Sequence, residues 1–222
     1  MQENEGQLHI LITGAGRGIG RAIAIEALSR GWQVSGTVRQ NGDAPQGVTE
    51  HLVDMRDRDR LRAIGTKLGP VDVLINNAGV IGPERQATLD MDFDGFADTF
   101  LINTLAPLAM AQAVLPKMPD GGRILTISSQ MAWMGYAKSD RIAYRASKAA
   151  VNKIMQGLAT DVRARQIAVA LIDPGWVRTD MGGPDAKENA TQVAHGILEI
   201  ASTLDMAQTG QFVRWTGEGR EF

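Results

Sequence analysis

The fold of this 222-residue chain is decided by one stretch near its start, Thr13-Gly14-Ala15-Gly16-Arg17-Gly18-Ile19-Gly20. An apolar strand over residues 8–12 leads into it, and helix-spaced apolar residues follow over 19–30. In such a turn Gly14 permits the tight bend, Gly18 lets backbone approach a phosphate, and Gly20 allows close helix packing. The stretch predicts a dinucleotide pyrophosphate site at a helix N-terminus, although the same glycines also suit a plain strand–helix turn.

Strand and helix signals alternate along the rest of the chain, with no repeat or linker. Further strands are predicted at residues 32–38, 51–53, 71–76, 123–128, 167–172 and 211–214. Helices are predicted at residues 19–30, 57–68, 93–117 with an interruption near Pro107, 142–165 and 189–202. Right-handed crossovers then give an α/β fold of the Rossmann type, with a doubly wound, mostly parallel, seven-stranded sheet and helices on both faces. We expect residues 1–7 to be a lead-in and residues 8–222 a single domain.

Two connections are unusual. Residues 39–50 hold turn formers and no helical period, so the crossover helix after the second strand is expected to be missing, leaving that sheet face thinly covered and the adenosine end of the site loose. Only about nine residues separate Thr179 from the next helix, which predicts a short lid over the substrate.

The composition is that of an ordinary globular protein, with 44% hydrophobic residues, 22% charged residues and a net charge of −2. No basic excess favours nucleic acid or anionic membrane, and no apolar run reaches the ~20 residues of a membrane helix. The chain has no cysteine, so disulfides and thiolate metal sites are excluded. Its acidic N-terminus lacks the order of a signal peptide, so we expect a cytoplasmic protein without nucleic-acid or membrane partners.

A second informative motif is Tyr144-Arg145-Ala146-Ser147-Lys148, which begins fifteen residues after Ser129. A tyrosine and a lysine four apart on a helix project from one face, so the ammonium can favour the ionised phenol. The pair predicts acid–base chemistry, and with the glycine stretch it predicts hydride transfer at a carbonyl or an alcohol. Taken alone, Tyr144 could be a helix-face aromatic, Lys148 a solvated partner and Ser129 the end of a strand.

No metal site is predicted. His9, His51 and His195 lack the spacing of metal ligands. The acidic run over residues 90–94 begins like a calcium loop, but no glycine or glutamate completes it, so an acidic helix N-terminus is the better interpretation.

Further motifs follow the glycine stretch in a fixed order: Asn76-Asn77-Ala78-Gly79, Leu101-Ile102-Asn103-Thr104, Ile127-Ser128-Ser129, Tyr144 with Lys148, and Asp173-Pro174-Gly175-Trp176-Val177-Arg178-Thr179. Together they resemble the short-chain dehydrogenase/reductase family over almost the whole chain. The phrases at residues 144–152 and 174–183 most resemble the subgroup of bacterial C-factor proteins and insect sniffer-type carbonyl reductases.

The resemblance implies an oxidoreductase with four catalytic residues. Tyr144 would give a proton to the substrate oxygen, Lys148 would tune it and hold the nicotinamide ribose, and Ser129 would bond the carbonyl oxygen. Asn103 would anchor the water through which Lys148 exchanges protons. The implied cofactor-binding residues are Gly14, Arg17, Gly18, Ile19, Gly20, Arg39, Asp54, Met55, Asn77, Ala78, Gly79, Tyr144, Lys148, Pro174, Gly175, Val177 and Thr179.

The cofactor preference is predicted from the end of the second strand. Proteins of this fold that prefer NAD usually carry a carboxylate there, and counting from Gly14 the position is Val38. Arg39 and Arg17 can instead converge on a 2′-phosphate, although both could be solvated. We therefore expect NADP(H) to be preferred, NAD to be possible, and Asp54 to hold the adenine amine.

The expected substrate is a small carbonyl compound or alcohol. Helices 106–117 and 142–165 resemble the pair through which family members form homodimers or homotetramers. About two extra residues between Ser129 and Tyr144 leave the pocket rim undefined. The alternative function is an NADP(H)-binding signalling or redox-sensing protein with little turnover, whereas an extended-type nucleotide-sugar epimerase is disfavoured by the glycine spacing and by the lack of a large C-terminal substrate domain.

Overall fold

The computed structural model describes residues 7–222. The strands are β1 (His9–Ile12), β2 (Gln33–Val38), β3 (Thr49–Leu52), β4 (Val73–Asn76), β5 (Gln86–Ala87), β6 (Asp90–Met91), β7 (Arg123–Ile127), β8 (Ala168–Asp173) and β9 (Phe212–Arg214). The α-helices are α1 (Gly18–Ser29), α2 (Arg58–Lys67), α3 (Phe93–Phe100), α4 (Ala106–Val114), α5 (Ile142–Asp161) and α6 (Ala190–Thr203). The lead-in expected at residues 1–7 lies outside the described residues, apart from Gln7.

Seven strands form one parallel sheet in the order β3-β2-β1-β4-β7-β8-β9, which confirms the doubly wound fold. The strand order reverses between β1 and β4, and sheets of this kind bind ligands at that switch point, beyond the carboxyl ends of the strands. The glycine stretch follows β1, Asn77 follows β4 and Ser128 follows β7. Three of the motif segments therefore meet at one edge of the sheet.

Helices cover both faces because the central strands are apolar on both sides. Ile10 and Ile12 of β1 pack against α1 and α6, whereas Leu11 between them packs against α2, α4 and α5. All three side chains are fully buried. This two-residue alternation within a buried strand fixes the sheet between its helices and gives the site a rigid edge on which its loops are mounted.

The helical stretch over residues 93–117 is interrupted just before Pro107, as the sequence predicted. A π-helical segment, Leu101–Leu105, joins α3 to α4, and Pro107 lies in the first turn of α4. Because proline has no N–H, residue 107 cannot donate the α-helical hydrogen bond to the carbonyl of Asn103. The widened turn therefore falls just before the proline, at Asn103.

This stretch also corrects an expectation about membranes. By length and composition alone, residues 93–117 would suffice to cross a bilayer, contrary to the expectation that no apolar run is long enough. Half of the most apolar part is buried inside the protein, where Met110 and Val114 lie in the core beneath the sheet. That burial is what a core helix beside a sheet requires.

The connection between β2 and β3 contains no helix, as expected, but it covers the sheet better than expected. Glu50 of β3 accepts hydrogen bonds from the N–H groups of Gly42 and Ala44, each at 2.8 Å. Ala44 and Val48 pack against the core beside α1. A carboxylate thus ties the connection to β3 in place of a crossover helix, so the adenosine end of the sheet is not loose.

Two smaller differences and one confirmed prediction complete the fold. β5 and β6 form a short antiparallel hairpin that was not predicted, because two-residue strands carry no periodic pattern. Asp92 then accepts a hydrogen bond from the N–H of Gly95 at 3.0 Å and caps α3, which confirms the helix N-terminus predicted within residues 90–94. The helix predicted at 142–165 ends at Asp161, and a 3₁₀ turn over Arg163–Arg165 completes its length.

Candidate active site

A cleft of about 1050 Å³ runs along the carboxyl edge of the sheet. Its walls are the glycine stretch, the segments that follow β2, β3, β4, β7 and β8, and the first turns of α5. Clefts of roughly 300–1,000 Å³ hold drug-sized ligands, so this one has room for a dinucleotide. It lies where a doubly wound sheet binds its ligands.

The glycine turn at one wall requires glycine for two separate reasons. Gly14 and Gly18 have φ angles of +72° and +54°, in the left-handed region that other residues rarely adopt. A Cβ on Gly20 would lie 2.1 Å from the carbonyl oxygen of Gly14, which confirms the close packing predicted there. Arg17, the N-cap of α1, makes no side-chain capping bond, and the first turn holds no acidic residue. The first N–H groups of α1 are therefore available to an anion.

The segment after β4 is bonded to this turn. Thr13 Oγ1 accepts hydrogen bonds from the N–H groups of Asn77 and Ala78, at 2.9 and 3.0 Å. Asn77 Nδ2 donates to the carbonyls of Thr13 and Gly14, at 3.0 and 3.2 Å. A Cβ on Gly79 would approach Asn103 Oδ1 to 3.2 Å. These contacts fix the floor of the cleft relative to the glycine turn.

Tyr144 and Lys148 lie on one face of α5, as predicted, with Lys148 Nζ 5.8 Å from the centre of the Tyr144 ring. Lys148 is only 4% exposed, and its Nζ donates a 2.7 Å hydrogen bond to the carbonyl of Ile127. Burial lowers the pKa of Lys148 to about 8. This lysine is thus a buried cation next to a phenol at the end of β7.

The pKa of Tyr144 shifts in the direction opposite to the one expected from its spacing to Lys148. Burial raises the pKa of the phenol, a hydrogen bond with the Ser129 side chain opposes that shift, and the Asp173 carboxylate adds to it. Desolvation of the phenolate outweighs the stabilisation that the spacing suggested, since the Lys148 ammonium is bonded to Ile127. The chain by itself therefore holds a protonated phenol, which is a proton donor.

Ser129 follows β7, and its Oγ accepts a 3.1 Å hydrogen bond from the N–H of Met131. That bond leaves the hydroxyl proton for a partner in the cleft. The Ser129 hydroxyl and the neighbouring Tyr144 phenol thus form a pair of hydroxyl groups on the same wall of the cleft.

Asn103 is fully buried, and its side chain does not line the cleft. Its Oδ1 accepts from the N–H of Val80 at 2.9 Å, while its Nδ2 donates to the carbonyl of Val80 at 2.8 Å and to Ser147 Oγ at 3.0 Å. The side chain therefore clamps the π-helical segment to the loop after β4 and to α5. It makes these bonds to other elements and none to the backbone of its own helix.

The two arginines predicted to meet a 2′-phosphate, Arg17 and Arg39, both line the cleft. Arg17 also forms a 3.5 Å ion pair with Asp180, and both side chains are largely exposed. Asp43 was not predicted: a Cβ on Gly16 would lie 2.9 Å from the Cβ of Asp43, which also lines the cleft. It lies beyond the end of β2, so counting along the strand could not find it.

Asp54 and Met55 line the cleft after β3, as predicted. Asp54 accepts a 2.9 Å hydrogen bond from the N–H of Arg56 and pairs with its guanidinium at 3.0 Å. Arg56 pairs as well with Asp98 of α3 and lines the cleft. Arg56 was missed because its second partner is distant in the sequence.

All predicted cofactor-binding residues except Gly20 line the cleft, together with Ser129, Tyr144 and Lys148. Residues that line it without having been predicted include Gln130, Met131, Arg141, Asp173, Trp176 and Met181. Except for Asp173, which ends β8, they lie on loops and turns whose contacts leave no periodic signal in the sequence. Within residues 7–222, no group of histidine and acidic side chains could hold a metal ion.

Comparison with known proteins gives consistent matches. The family model described as short chain dehydrogenase matches residues 8–190. C-signal of Myxococcus xanthus is 41% identical over 163 residues, which cover 71% of this chain and 97% of that protein. The structure of carbonyl reductase Sniffer of D. melanogaster has a TM-score of 0.90 at 26% identity, covering 98% of this chain and 100% of that one. A carbonyl reductase from Pseudomonas aeruginosa PAO1 in complex with NADP has a TM-score of 0.85 at 31% identity, with the same coverage of 98% and 100%.

Proposed function

Because this chain belongs to the short-chain dehydrogenase family, we propose that it is an NADP(H)-dependent oxidoreductase that interconverts a ketone or an aldehyde with the corresponding alcohol. The observation that carries the proposal is a single cleft that joins the uncapped first turn of α1 to Ser129, Tyr144 and Lys148. An anion site and a set of proton donors in one cleft are what hydride transfer from a dinucleotide requires.

The residues along this cleft fit a nicotinamide dinucleotide. The left-handed φ of Gly18 and the absence of acidic residues from the first turn of α1 suit a pyrophosphate next to backbone. When bound, the cofactor supplies or accepts the hydride. Asn77, Ala78 and Gly79 form the floor, and Pro174, Gly175, Val177 and Thr179 the opposite wall.

Tyr144 is the proton donor in this proposal. Burial keeps its phenol protonated, and the Ser129 hydroxyl beside it donates a hydrogen bond to the substrate oxygen. Lys148 holds the nicotinamide ribose, and its positive charge favours departure of the Tyr144 proton at the moment of transfer. In the oxidative direction the same phenol takes the proton back.

Asn103 acts through its backbone rather than its side chain. The side chain is bonded to Val80 and Ser147, and Pro107 cannot donate the α-helical hydrogen bond to the Asn103 carbonyl. We infer that the Asn103 carbonyl binds the water molecule through which Lys148 exchanges protons.

NADP(H) is preferred because Arg39 and Arg17 offer guanidinium groups and Val38 offers no carboxylate at the end of β2. A charge-assisted hydrogen bond contributes roughly 1.5–3 kcal/mol, or about 10- to 150-fold in preference. The NADP in the similar Pseudomonas aeruginosa structure supports this choice. The Asp43 carboxylate next to Gly16 opposes a phosphate, so it reduces the preference for NADP(H), and NAD can still be used.

The proposal includes assembly and location. α4 and α5 are the helices through which we expect two-fold pairing into a dimer or tetramer. The cytoplasm is the expected compartment because the chain has no cysteine and therefore makes no use of an oxidising environment.

The proposal is tested by following the transferred hydrogen. NADPH that carries deuterium at the transferable C4 position is incubated with the protein and a panel of ketones and aldehydes. We expect alcohols with deuterium on the carbinol carbon. NADPH that binds but yields no deuterated alcohol from any member of the panel would contradict the proposal.

The second candidate is an NADP(H)-binding signalling protein with little turnover, favoured by the 41% identity to a protein named C-signal. It predicts calorimetric binding of NADPH without consumption. Intact Ser129, Tyr144 and Lys148 in one cleft favour the enzyme, since a binding protein has no use for a proton donor there.

A further inference from the structure

Asp173, at the carboxyl end of β8, is a buried carboxylate next to the candidate site and is only 2% exposed. Its Oδ1 accepts hydrogen bonds from the N–H groups of Gln130 at 3.2 Å and Gly175 at 3.0 Å. Its Oδ2 accepts a 3.1 Å hydrogen bond from Arg220 Nε. Gln130 directly follows Ser129, so one carboxylate ties the serine loop to the segment after β8.

Arg220 comes from the segment that follows β9. Its N–H donates a 2.8 Å hydrogen bond to the carbonyl of Phe212, and Val213 forms a bridge with Gly219. The Phe222 ring lies 5.8 Å from that of Phe212. These contacts hold the segment against β9, so the Arg220 guanidinium lies at a defined position beside Asp173. The Arg220 side chain is 20% exposed.

We propose that Arg220 is a positioning residue: by balancing the charge of Asp173 it holds the Ser129 loop in place and shields Tyr144 from a buried negative charge. This inference rests on the function proposed above. A buried carboxylate without a cation is costly, and in a medium of low dielectric its field reaches neighbouring groups.

The charges that act on the phenol come from three elements. Lys148 and Arg141 lie on α5 or its N-cap, Asp173 acts from β8, and Arg220 acts through Asp173 from the C-terminal segment. Burial is the largest cause of the raised pKa of Tyr144; Asp173 raises it further and Arg141 lowers it. Loss of the Arg220 charge should therefore make the phenol hold its proton more tightly, whereas loss of the Asp173 charge should have the opposite effect.

The chain has two tyrosines, which makes a direct titration feasible. In a Tyr136→Phe parent, Tyr144 is the remaining tyrosine, and ¹³C-tyrosine NMR reports its ionisation without substrate or cofactor. We expect Arg220→Met to raise the titration midpoint by about half a pH unit or more, so that the ionised fraction falls about threefold at a given pH. Arg220→Lys should keep the parent midpoint, and Asp173→Asn should lower it.

Arg165→Met is the matched control, because it removes a 3.0 Å ion pair with Asp120 that lies outside the cleft, and it should leave the midpoint unchanged. Equal midpoints in Arg220→Met and the parent, or an equal shift in the lysine and methionine variants, would overturn the inference. If Arg220→Met does not fold, the test rests on Asp173→Asn. An unchanged Tyr144 titration midpoint in Asp173→Asn would then overturn the inference. Since the titration needs no turnover, its result is independent of the deuterium-transfer test.

Discussion

Lys148 carries a nearly buried ammonium group, and its burial costs stability. Its pKa is lowered from 10.5 to about 8 in the folded protein. Between these values the unfolded chain binds more protons than the folded one, so this group makes the free energy of unfolding rise as pH rises. Below the folded pKa the full cost is present.

Lys148→Met should therefore raise the free energy of unfolding at neutral pH, by up to about 3 kcal/mol, while it reduces both turnover and NADPH affinity. The gain should shrink at about pH 10, where the wild-type lysine is neutral in the folded state. Urea denaturation of both proteins at the two pH values measures this. A methionine variant less stable than the wild type at neutral pH would contradict it, because the bond to Ile127 would then outweigh desolvation.

Substitutions of Arg39 and Asp43 should shift the cofactor preference in opposite directions. Arg39→Ala should lower the ratio of kcat/KM for NADPH over NADH by about 10-fold or more, because a guanidinium–phosphate hydrogen bond is lost. Asp43→Asn should raise the same ratio, because it removes an opposing charge. The ratio is measured by steady-state kinetics with both cofactors, and ratios unchanged in both variants would remove these residues from the 2′-phosphate site.

At the scale of the elements, the π-helical segment Leu101–Leu105 depends on a proline. Pro107→Ala supplies an N–H that can bond to the Asn103 carbonyl and let α3 and α4 run as one helix. We expect kcat to fall at least about tenfold, since small displacements of the site are costly, with thermal stability unchanged or higher. Pro119→Ala, in a loop outside the helix, is the control. Full activity in Pro107→Ala would argue against a role for that carbonyl.

The parts of the molecule that could be predicted are those with local patterns. The glycine turn needs left-handed backbone at Gly14 and space at Gly20, and both requirements are visible in the sequence. The Tyr144–Lys148 spacing likewise fixes a shared helix face. By contrast, Asp173 contacts Arg220 from the segment after β9, and Asp43 contacts Gly16 from a loop. No local sequence pattern indicates either contact.

The direction of the Tyr144 pKa shift could not be predicted for a different reason. Spacing gives the proximity of an ammonium to a phenol, but desolvation depends on the whole packed surroundings of the ring. Burial is the largest contribution, and it acts against ionisation.

Assembly is a property of the molecule as a whole. If α4 and α5 pair across a two-fold axis, light scattering at micromolar concentration should give at least twice the chain mass of 23.9 kDa. A mass of 23.9 kDa would contradict this pairing. The cytoplasmic location stays a prediction from composition.

In the function proposed above, the cleft transfers hydride with Tyr144 as the proton donor. The most direct measurement is the rate of NADPH consumption with a panel of ketones and aldehydes, for the wild type and Tyr144→Phe, with NADPH affinity measured in parallel. We predict carbonyl-dependent consumption by the wild type and a loss of at least about 100-fold in Tyr144→Phe at nearly unchanged affinity, because only the proton donor is removed. Wild-type turnover in Tyr144→Phe, or no consumption by a wild type that binds NADPH, would contradict the claim.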